Sequence, residues 1–334
     1  MTSQVRAVVL LSGGLDSTLS ALLLKGKGIE IYGLMFVTPF LSKSSVEEFS
    51  EKMKHYYKSL GIPIEVRILT DEYFPIVIAP AHGYGKCLNP CIDCRTLFLT
   101  LAKRYMEEID ADFLVTGEVV DQRPMSQTLK SIELIERESG MKGMVVRPLS
   151  GAFLTPSEPE IKGIVKREWF LDLRGKRRLN QLKLAEKLGL KNFPQPAGGC
   201  LLTNCGFSRK VRDLINYNEL NAFTAEVVKV GRHFRVDGVK VVVSRNEEED
   251  LYISRNCKGL GYIIEPLAVA GPAGFIMTKG YLNDSLLETT LKIIGRYCDE
   301  KHNILFSVFS PTGTIFEVKL KEAFEKHESD AYMV

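Results

Sequence analysis

Three clusters of residues in this chain could do chemistry. The first is Ser12-Gly13-Gly14-Leu15-Asp16-Ser17-Thr18, directly after the apolar run Val5–Leu11. A strand that ends in Ser-Gly-Gly and continues into a helix makes a cradle for phosphate. The glycines let the backbone turn sharply and approach a ligand closely. The helix start aims unpaired N–H groups and the positive end of its dipole at an anion. Asp16 narrows the reading. A carboxylate beside phosphates is repelled unless a cation lies between them, so the loop suits a nucleotide with Mg²⁺ better than bare phosphate. A Walker A loop needs Gly-Lys-Ser/Thr and a dinucleotide fingerprint needs G-x-G-x-x-G; the segment is neither.

The second cluster is Cys91-Ile-Asp-Cys94, with Cys87 just before it and Cys200 far downstream in Pro-Ala-Gly-Gly-Cys. The pair stands ahead of a helix predicted over Thr96–Ile109, whose N-terminus favours a thiolate. Two cysteines at this spacing plus a distant third can hold a [4Fe–4S] cluster at three irons, leaving the fourth open for hydrosulfide. Other arrangements compete. Cys91, Cys94, Cys200 and Cys205 could close a four-cysteine Zn²⁺ site. Cys94 and Cys200 could act as a persulfide and its resolving thiol. Cys87-x₃-Cys91-x₂-Cys94 also has radical-SAM spacing, but a nucleotide-type loop already occupies the first strand. Cys257 and Cys298 read as core residues, and His82 as an incidental loop histidine.

The third cluster is Val115-Thr116-Gly117-Glu118, then Gln122, Ser126-Gln127-Thr128 and Val146-Arg147-Pro148-Leu149. Gly117 permits close approach of an adenosine. Gln127 and Thr128 can hydrogen-bond a nucleotide or base, or serve as turn and cap residues.

The elements that must position these clusters alternate. Strands are predicted at Val5–Leu11, Glu30–Val37, Ile64–Ile68, Phe113–Thr116 and Val145–Arg147. Helices are predicted at Ser17–Lys25, Val46–Leu60 and Thr96–Ile109. This pattern implies a parallel, doubly wound α/β sheet, with ligands beyond the carboxyl ends of its strands. Ser12–Asp16, Phe36–Thr38 and Thr116–Glu118 all fall at such ends. Ile164–Leu190 reads as helical and basic, and Asn192–Asn204 as a Pro/Gly loop. From about Phe223 the pattern turns to a smaller α+β module. Strands there are predicted at Thr224–Val230, Val239–Val243, Ile263–Pro266, Gly274–Thr278, Ile304–Phe309 and Thr314–Leu320, with a helix at Ser285–Tyr297 and a frayed Glu328–Val334.

At 334 residues, 45% hydrophobic and 25% charged, the chain has material for about two domains. No apolar run reaches the roughly 18 residues of a membrane span, and no signal-peptide core precedes the first strand, so a cytoplasmic location and no membrane partner are expected. There, seven cysteines do not make a disulfide framework. A net charge of +3 is too small to argue for nucleic acid by itself. Its distribution says more: Lys166, Arg167, Arg174, Lys176, Arg177, Arg178, Lys183, Lys187 and Lys191 crowd one stretch, followed by Arg209, Lys210 and Arg212. The stretch is a phosphate-backbone contact zone or a solvated helix face.

Ser12-Gly13-Gly14-Leu15-Asp16-Ser17 resembles the signature loop of the ATP-pyrophosphatase (PP-loop) superfamily. The Thr-Gly-Glu…Gln…Ser-Gln-Thr…Arg-Pro-Leu series resembles the 4-thiouridine tRNA sulfurtransferases. Cys91, Cys94 and Cys200 resemble the cysteines of iron–sulfur-dependent tRNA thiouridine synthetases. Together these likenesses cover about residues 5–205. They imply ATP cleavage between the α- and β-phosphates, adenylation of a uridine carbonyl oxygen, and its replacement by sulfur. They imply ATP contacts from Leu11, Ser12, Gly13, Gly14, Asp16, Ser17, Thr18, Met35, Phe36, Thr116, Gly117 and Gln127. Asp16 would hold Mg²⁺, and Cys91, Cys94 and Cys200 the cluster or the relayed sulfur.

The implied partners are tRNA and a sulfur donor (sulfide, a cysteine desulfurase or a carrier protein), with a homodimer left open. The 4-thiouridine enzymes carry a tRNA-binding region ahead of the loop. The module after Phe223, or a partner, is therefore expected to dock the RNA. Val230-Gly231-Arg232-His233-Phe234-Arg235 and Ser244-Arg245-Asn246-Glu247-Glu248-Glu249 resemble an RNA-binding domain of ribosome-quality-control proteins. Arg232, Phe234 and Arg235 suit stacking and phosphate contact. The expected domains are residues 1–173 (PP-loop), 174–221 (basic, carrying Cys200) and 222–334 (α+β). The competing readings are an adenylating ligase for a small substrate with structural zinc, and a non-catalytic RNA-binding adaptor. The intact Asp16 speaks against the latter.

Overall fold

The computed structural model describes residues 4–41, 46–190, 193 and 200–334. The chain divides into two compact units, residues 1–208 and 209–334, and the basic 174–221 segment contributes to both.

In the first unit, β1 (Arg6–Leu10), α1 (Leu15–Lys25), β2 (Glu30–Val37), α2 (Val46–Ser59) and β3 (Ile64–Ile68) alternate as the sequence predicts. They are followed by α3 (Phe74–Ile78), α4 (Cys91–Glu108), β4 (Phe113–Thr116), α5 (Leu129–Glu138) and β5 (Val145–Val146). Short α6 (Glu158–Ile161) and α7 (Leu179–Lys187) come next, and α8 (Cys205–Asn216) begins in this unit and continues into the second. The sheet is five-stranded and parallel, in the order β3-β2-β1-β4-β5. β1 is central: Leu10 pairs with Leu34 of β2 on one side and Thr116 of β4 on the other. Ala7, Val8 and Val9 are fully buried, as expected of a strand covered on both faces. The strand order reverses between β1 and β4, so the loops after these two strands diverge around a crevice.

Two expectations change here. Helix α4 starts at Cys91 rather than Thr96, because Pro90 takes the cap position and the Cys94 N–H already bonds to the Pro90 carbonyl at 2.8 Å. The basic stretch 164–190 is not one helix: only Leu179–Lys187 is α-helical. Arg167 turns back to the Gly151 and Leu154 carbonyls and to Glu160, and Arg174 pairs with Asp121 at 2.6 Å. Lys191 and most of the Asn192–Asn204 loop lie outside the described residues.

The second unit adds α9 (Ala222–Val227), β6 (Arg232–Val236), β7 (Val239–Val243), α10 (Glu247–Asn256), β8 (Tyr262–Leu267) and β9 (Gly274–Ile276). It ends with α11 (Asp284–Gly295), β10 (His302–Phe309), β11 (Ile315–Glu322) and α12 (Lys326–Asp330). Its sheet is antiparallel in the order β11-β10-β8-β9-β7-β6, with α11 contributing Leu286, Leu291, Ile293 and Ile294 to the core. Asp237 and Gly238 both have positive φ, 47° and 78°, as a two-residue hairpin turn between β6 and β7 requires.

Three readings are corrected in this unit. Thr224–Val230 is not a strand. Asn221 and Thr224 form a reciprocal cap that starts α9, and this overrides the β-branched run. Glu328–Val334 is not frayed: the Arg235 N–H bonds to the Tyr332 carbonyl at 2.9 Å and the Val334 N–H to the His233 carbonyl at 3.0 Å. Phe234 cannot stack on a base, because it is fully buried in the core, and Arg235 is held by Asp213 and Glu219.

Candidate functional site

The loop after β1 is shaped from within. Gly13 has φ +73°, and a Cβ there would lie 2.9 Å from Met53 Sδ. Ser17 Oγ lies 3.1 Å from Ser12 Oγ and donates to the Gly14 carbonyl at 3.1 Å. Thr18 Oγ1 donates to the same carbonyl at 3.0 Å and meets Tyr57 OH at 3.1 Å. Burial pushes the Tyr57 hydroxyl up to about 12, so it stays protonated and acts as a fixed post. Gly14 caps α1 with no side chain, which leaves the first helical N–H groups without a side-chain partner.

Gly117 explains why the β4 loop needs glycine. A Cβ there would lie 2.4 Å from the Ser17 N and Cα, so the loops after β1 and β4 touch backbone to backbone. The space a side chain would take is filled by protein rather than left for adenosine.

A cavity opens on this junction. It is lined by Ser12, Gly14, Asp16, Ser17, Gly117, Gln122, Gln127, Arg95, Arg123 and Arg178. Asp16 accepts from Gln122 Nε2 at 3.1 Å through Oδ2, while its buried Oδ1 has no partner. Gln127 is buried and its Oε1 is also unpartnered. Burial raises the Asp16 pKa, with Gln122 and then Arg178 opposing it. A cation against Oδ1 and a donor against Gln127 would meet these unfilled valences. The donor set therefore fits a nucleotide phosphate with Mg²⁺.

The second cavity adjoins the first. It is lined by Cys91, Cys94 and Cys200, with Leu11, Phe36, Tyr73, Asn89 and Ser126 among its neighbours. Leu10, Ser12, Arg95 and Arg123 line both cavities. The structure therefore brings the phosphate loop and the three cysteines to adjoining walls. Leu11 and Phe36 face the cysteine side, where Phe36 stacks on Phe98 at 5.0 Å. Met35, Thr18 and Thr116 are buried and line neither cavity.

The cysteine-bearing segments are tied down. Cys91 and Cys94 stand in the first turn of α4. Tyr73 OH donates to Cys94 Sγ at 3.7 Å. Past Cys200, the Leu201 N–H bonds to the Phe40 carbonyl at 2.8 Å, and the Leu88 N–H to the Leu202 carbonyl at 3.2 Å. Cys87 and Cys205 form a disulfide with Cα atoms 5.2 Å apart. Cys205 is thus unavailable to a four-cysteine zinc set, and no group of three or more His, Cys, Asp or Glu among the described residues could hold a single metal ion. A four-iron cluster asks for a different arrangement, because each of its three ligands binds a separate iron.

The expected thiolate is also corrected. Burial raises Cys91, pushes Cys94 up to about 11 and Cys200 up to about 12. Desolvation outweighs the helix N-terminus, so in this state the three are thiols. A positively charged group bound among them would reverse this and deprotonate them.

Behind the crevice, Glu118 accepts from Arg147 Nε at 2.8 Å and Thr116 Oγ1 at 3.0 Å, and faces Arg95 at 3.7 Å. Burial alone would raise the Glu118 pKa, but Arg147 and then Arg95 overcome it and hold the carboxyl low. Glu118 thereby anchors Arg95 at the cavity wall. His82 lines neither cavity; its ring lies 3.3 Å from both Asp93 and Glu138. Sequence reasoning missed Arg95 and Arg123 altogether. It read Arg178 as part of a phosphate-backbone contact zone or a solvated helix face, whereas α7 begins where Arg178 meets the phosphate cavity.

Residues 2–154 match the family model described as thiamine biosynthesis protein (ThiI), and residues 231–333 match the NFACT protein RNA binding domain. A probable tRNA sulfurtransferase of Thermococcus kodakarensis is 26% identical over 149 residues, 45% of this chain and 38% of the relative. The tRNA-specific 2-thiouridylase MnmA of Geobacter metallireducens is 32% identical over 128 residues, 34% of each chain. The chain thus spans little more than a third of these curated relatives. A solved 4-thiouridine synthetase in complex with RNA and ATP is 19% identical, with TM-score 0.39, over 67% of this chain and 52% of that one. This last likeness is too loose to carry a conclusion. The first unit resembles the PP-loop tRNA thiouridine synthetases.

Proposed function

We propose that the chain is an ATP-dependent tRNA sulfurtransferase that adenylates a uridine carbonyl oxygen and replaces it with sulfur delivered at Cys91, Cys94 and Cys200. One observation carries the reading: the phosphate loop and the three cysteines line adjoining cavities with four residues in common. An oxygen activated on one side is within reach of a sulfur held on the other. The curated relatives named as tRNA sulfurtransferase and 2-thiouridylase support the substrate class. The match of residues 231–333 to an RNA-binding domain supports RNA docking by the second unit.

The residues divide the work. Gly13, Gly14 and the start of α1 receive the β- and γ-phosphates through backbone N–H groups. Asp16 Oδ1 would hold Mg²⁺, which neutralises phosphate charge when bound. Gln127 Oε1 accepts from the nucleotide. Arg178 and Arg95 add positive charge around the phosphates. Cys91, Cys94 and Cys200 would hold a [4Fe–4S] cluster, which when bound supplies an iron with a free position for a sulfur ligand. Tyr73 orients the Cys94 sulfur. The proposed location is the cytoplasm; among the described residues no helix is long and apolar enough to cross a membrane.

The test is mass spectrometry of tRNA nucleosides from a strain lacking the gene. Loss of one thionucleoside is expected, and an unchanged profile would discard the reading. Complementation with Cys200→Ala should leave thiolation undetectable while RNA-dependent pyrophosphate release by the purified variant persists. Protein purified without oxygen should be brown with about four irons per chain. A colourless protein with one tight zinc ion would overturn the cluster.

A further inference from the structure

Four residues line both cavities of the first unit, and two of them, Arg95 and Arg123, are cations. They differ in how they are held. Arg95 faces Glu118 at 3.7 Å, and Glu118 is itself fixed by Arg147 and Thr116. The Arg123 guanidinium has no hydrogen bond or ion pair to any described residue. It is nevertheless well placed, because the Gln127 N–H bonds to the Arg123 carbonyl at 3.0 Å and the Gln122 side chain just before it is fixed on Asp16. The surrounding protein, and then Arg95, push the Arg123 pKa down from its ordinary value. A ligand with negative charge would relieve that crowding.

The proposed reaction says where the negative charge must be. The β- and γ-phosphates belong to the glycine loop and the sulfur to the cysteines, so the α-phosphoryl group stands at the wall the two cavities have in common. We propose that Arg123 is a catalytic residue of adenylation, its guanidinium contacting the α-phosphoryl oxygens as the acceptor oxygen attacks. The bond between the uridine oxygen and the α-phosphorus forms. The bond from that phosphorus to the bridging oxygen breaks, and its electron pair leaves on pyrophosphate. The N3 proton of the uracil passes to solvent. A guanidinium with no carboxylate to release meets this charge without first breaking an ion pair, and its planar fork matches two phosphoryl oxygens. Arg95, already committed to Glu118, is the fixed wall beside it.

The inference rests on the proposed thiolation reaction and is tested separately from it. Full-length wild type, Arg123→Gln and Arg123→Lys are compared for pyrophosphate release with MgATP and unmodified tRNA, after thermal melts verify equal folding. Arg123→Gln should lower kcat about 10²–10³-fold, the scale for losing one donor to transition-state charge. KM for ATP should change far less, and Arg123→Lys should recover part of the rate. A wild-type kcat in Arg123→Gln, or a loss confined to KM, overturns the assignment. A wild type with no RNA-dependent pyrophosphate release would instead overturn the reading on which it rests.

Discussion

Arg235 in the second unit and Arg123 in the first carry the same charge in opposite settings. Arg235 donates to Glu219 at 2.9 and 3.0 Å, to Asp213, and to the Gly238 carbonyl at 3.1 Å, and its Cζ lies 3.8 Å from the Tyr217 ring centroid. Lys240 Nζ adds a contact to Asp213 at 2.6 Å from a side chain that is 1% exposed. The Arg123 guanidinium has no such partner among the described residues, and Asp16 Oδ1 and Gln127 Oε1, which line the same cavity, are buried without partners. A folded chain satisfies most of its buried polar groups, so two unpartnered oxygens lining one cavity call for an explanation. The satisfied cluster marks architecture, and the unsatisfied one marks a place reserved for a ligand.

The comparison can be broken by substitution, and the largest effect is expected at Asp213. Asp213→Ala strands the buried Lys240 without its carboxylate, leaves Arg235 with Glu219 as its remaining carboxylate, and should destabilise the second unit by about 3–5 kcal/mol, read from urea melts. A loss under 1 kcal/mol would show that this cluster is not structural. Next comes Gly117→Ala, whose Cβ meets the Ser17 backbone at 2.4 Å. It should cost about 1–3 kcal/mol and weaken ATP binding, since the loop must shift. Calorimetry with the non-hydrolysed nucleotide checks this, and unchanged affinity would detach the β4 loop from the site.

A smaller effect comes from pH. His233 is buried, its Nε2 lies 2.7 Å from the Val230 carbonyl, and burial, then Lys240 and Lys210, push its pKa well below 6.5. The folded unit keeps it neutral while the unfolded chain binds a proton below about 6.5. The unfolded state therefore holds more protons in that range, and stability falls as pH drops through it, by up to about 1.4 kcal/mol per unit. His233→Phe should flatten this slope; an unaltered slope would assign it to other groups. The smallest effect sharpens the contrast most. Arg123→Gln should change stability by less than about 0.5 kcal/mol, because no partner is lost. A large loss in that melt would mean the guanidinium is structural after all.

The parallel sheet and the phosphate loop were readable from sequence because both depend on neighbours in the chain: apolar runs, glycines and a carboxylate at fixed spacing. Helix α4 was placed too late because Cys91-Ile-Asp-Cys94 holds weak helix formers, and its first turn is set by contacts with distant residues. Asp93 accepts the Ala81 and His82 N–H groups at 2.8 and 3.2 Å, a partnership no local pattern announces. In α9 the cap signal was present in Asn221 and Thr224 but was outweighed by the β-branched run that follows. Arg123 was invisible for another reason. Its meaning lies in what it does not touch, and an unpaired charge can be recognised only once every neighbour is known.

The pairing of residues 332–334 with β6 also bears on how the second unit meets other chains. A sheet's outermost strand offers a row of free backbone groups on which a foreign strand can add. At the β6 end, Tyr332 and Val334 already occupy such positions through Arg235 and His233. At the other end of the strand order, β11 has β10 on one side and, among the described residues, no strand on the other, and Ile315 on it is 60% exposed. Among the described residues the six-stranded sheet thus has two ends but a single open margin.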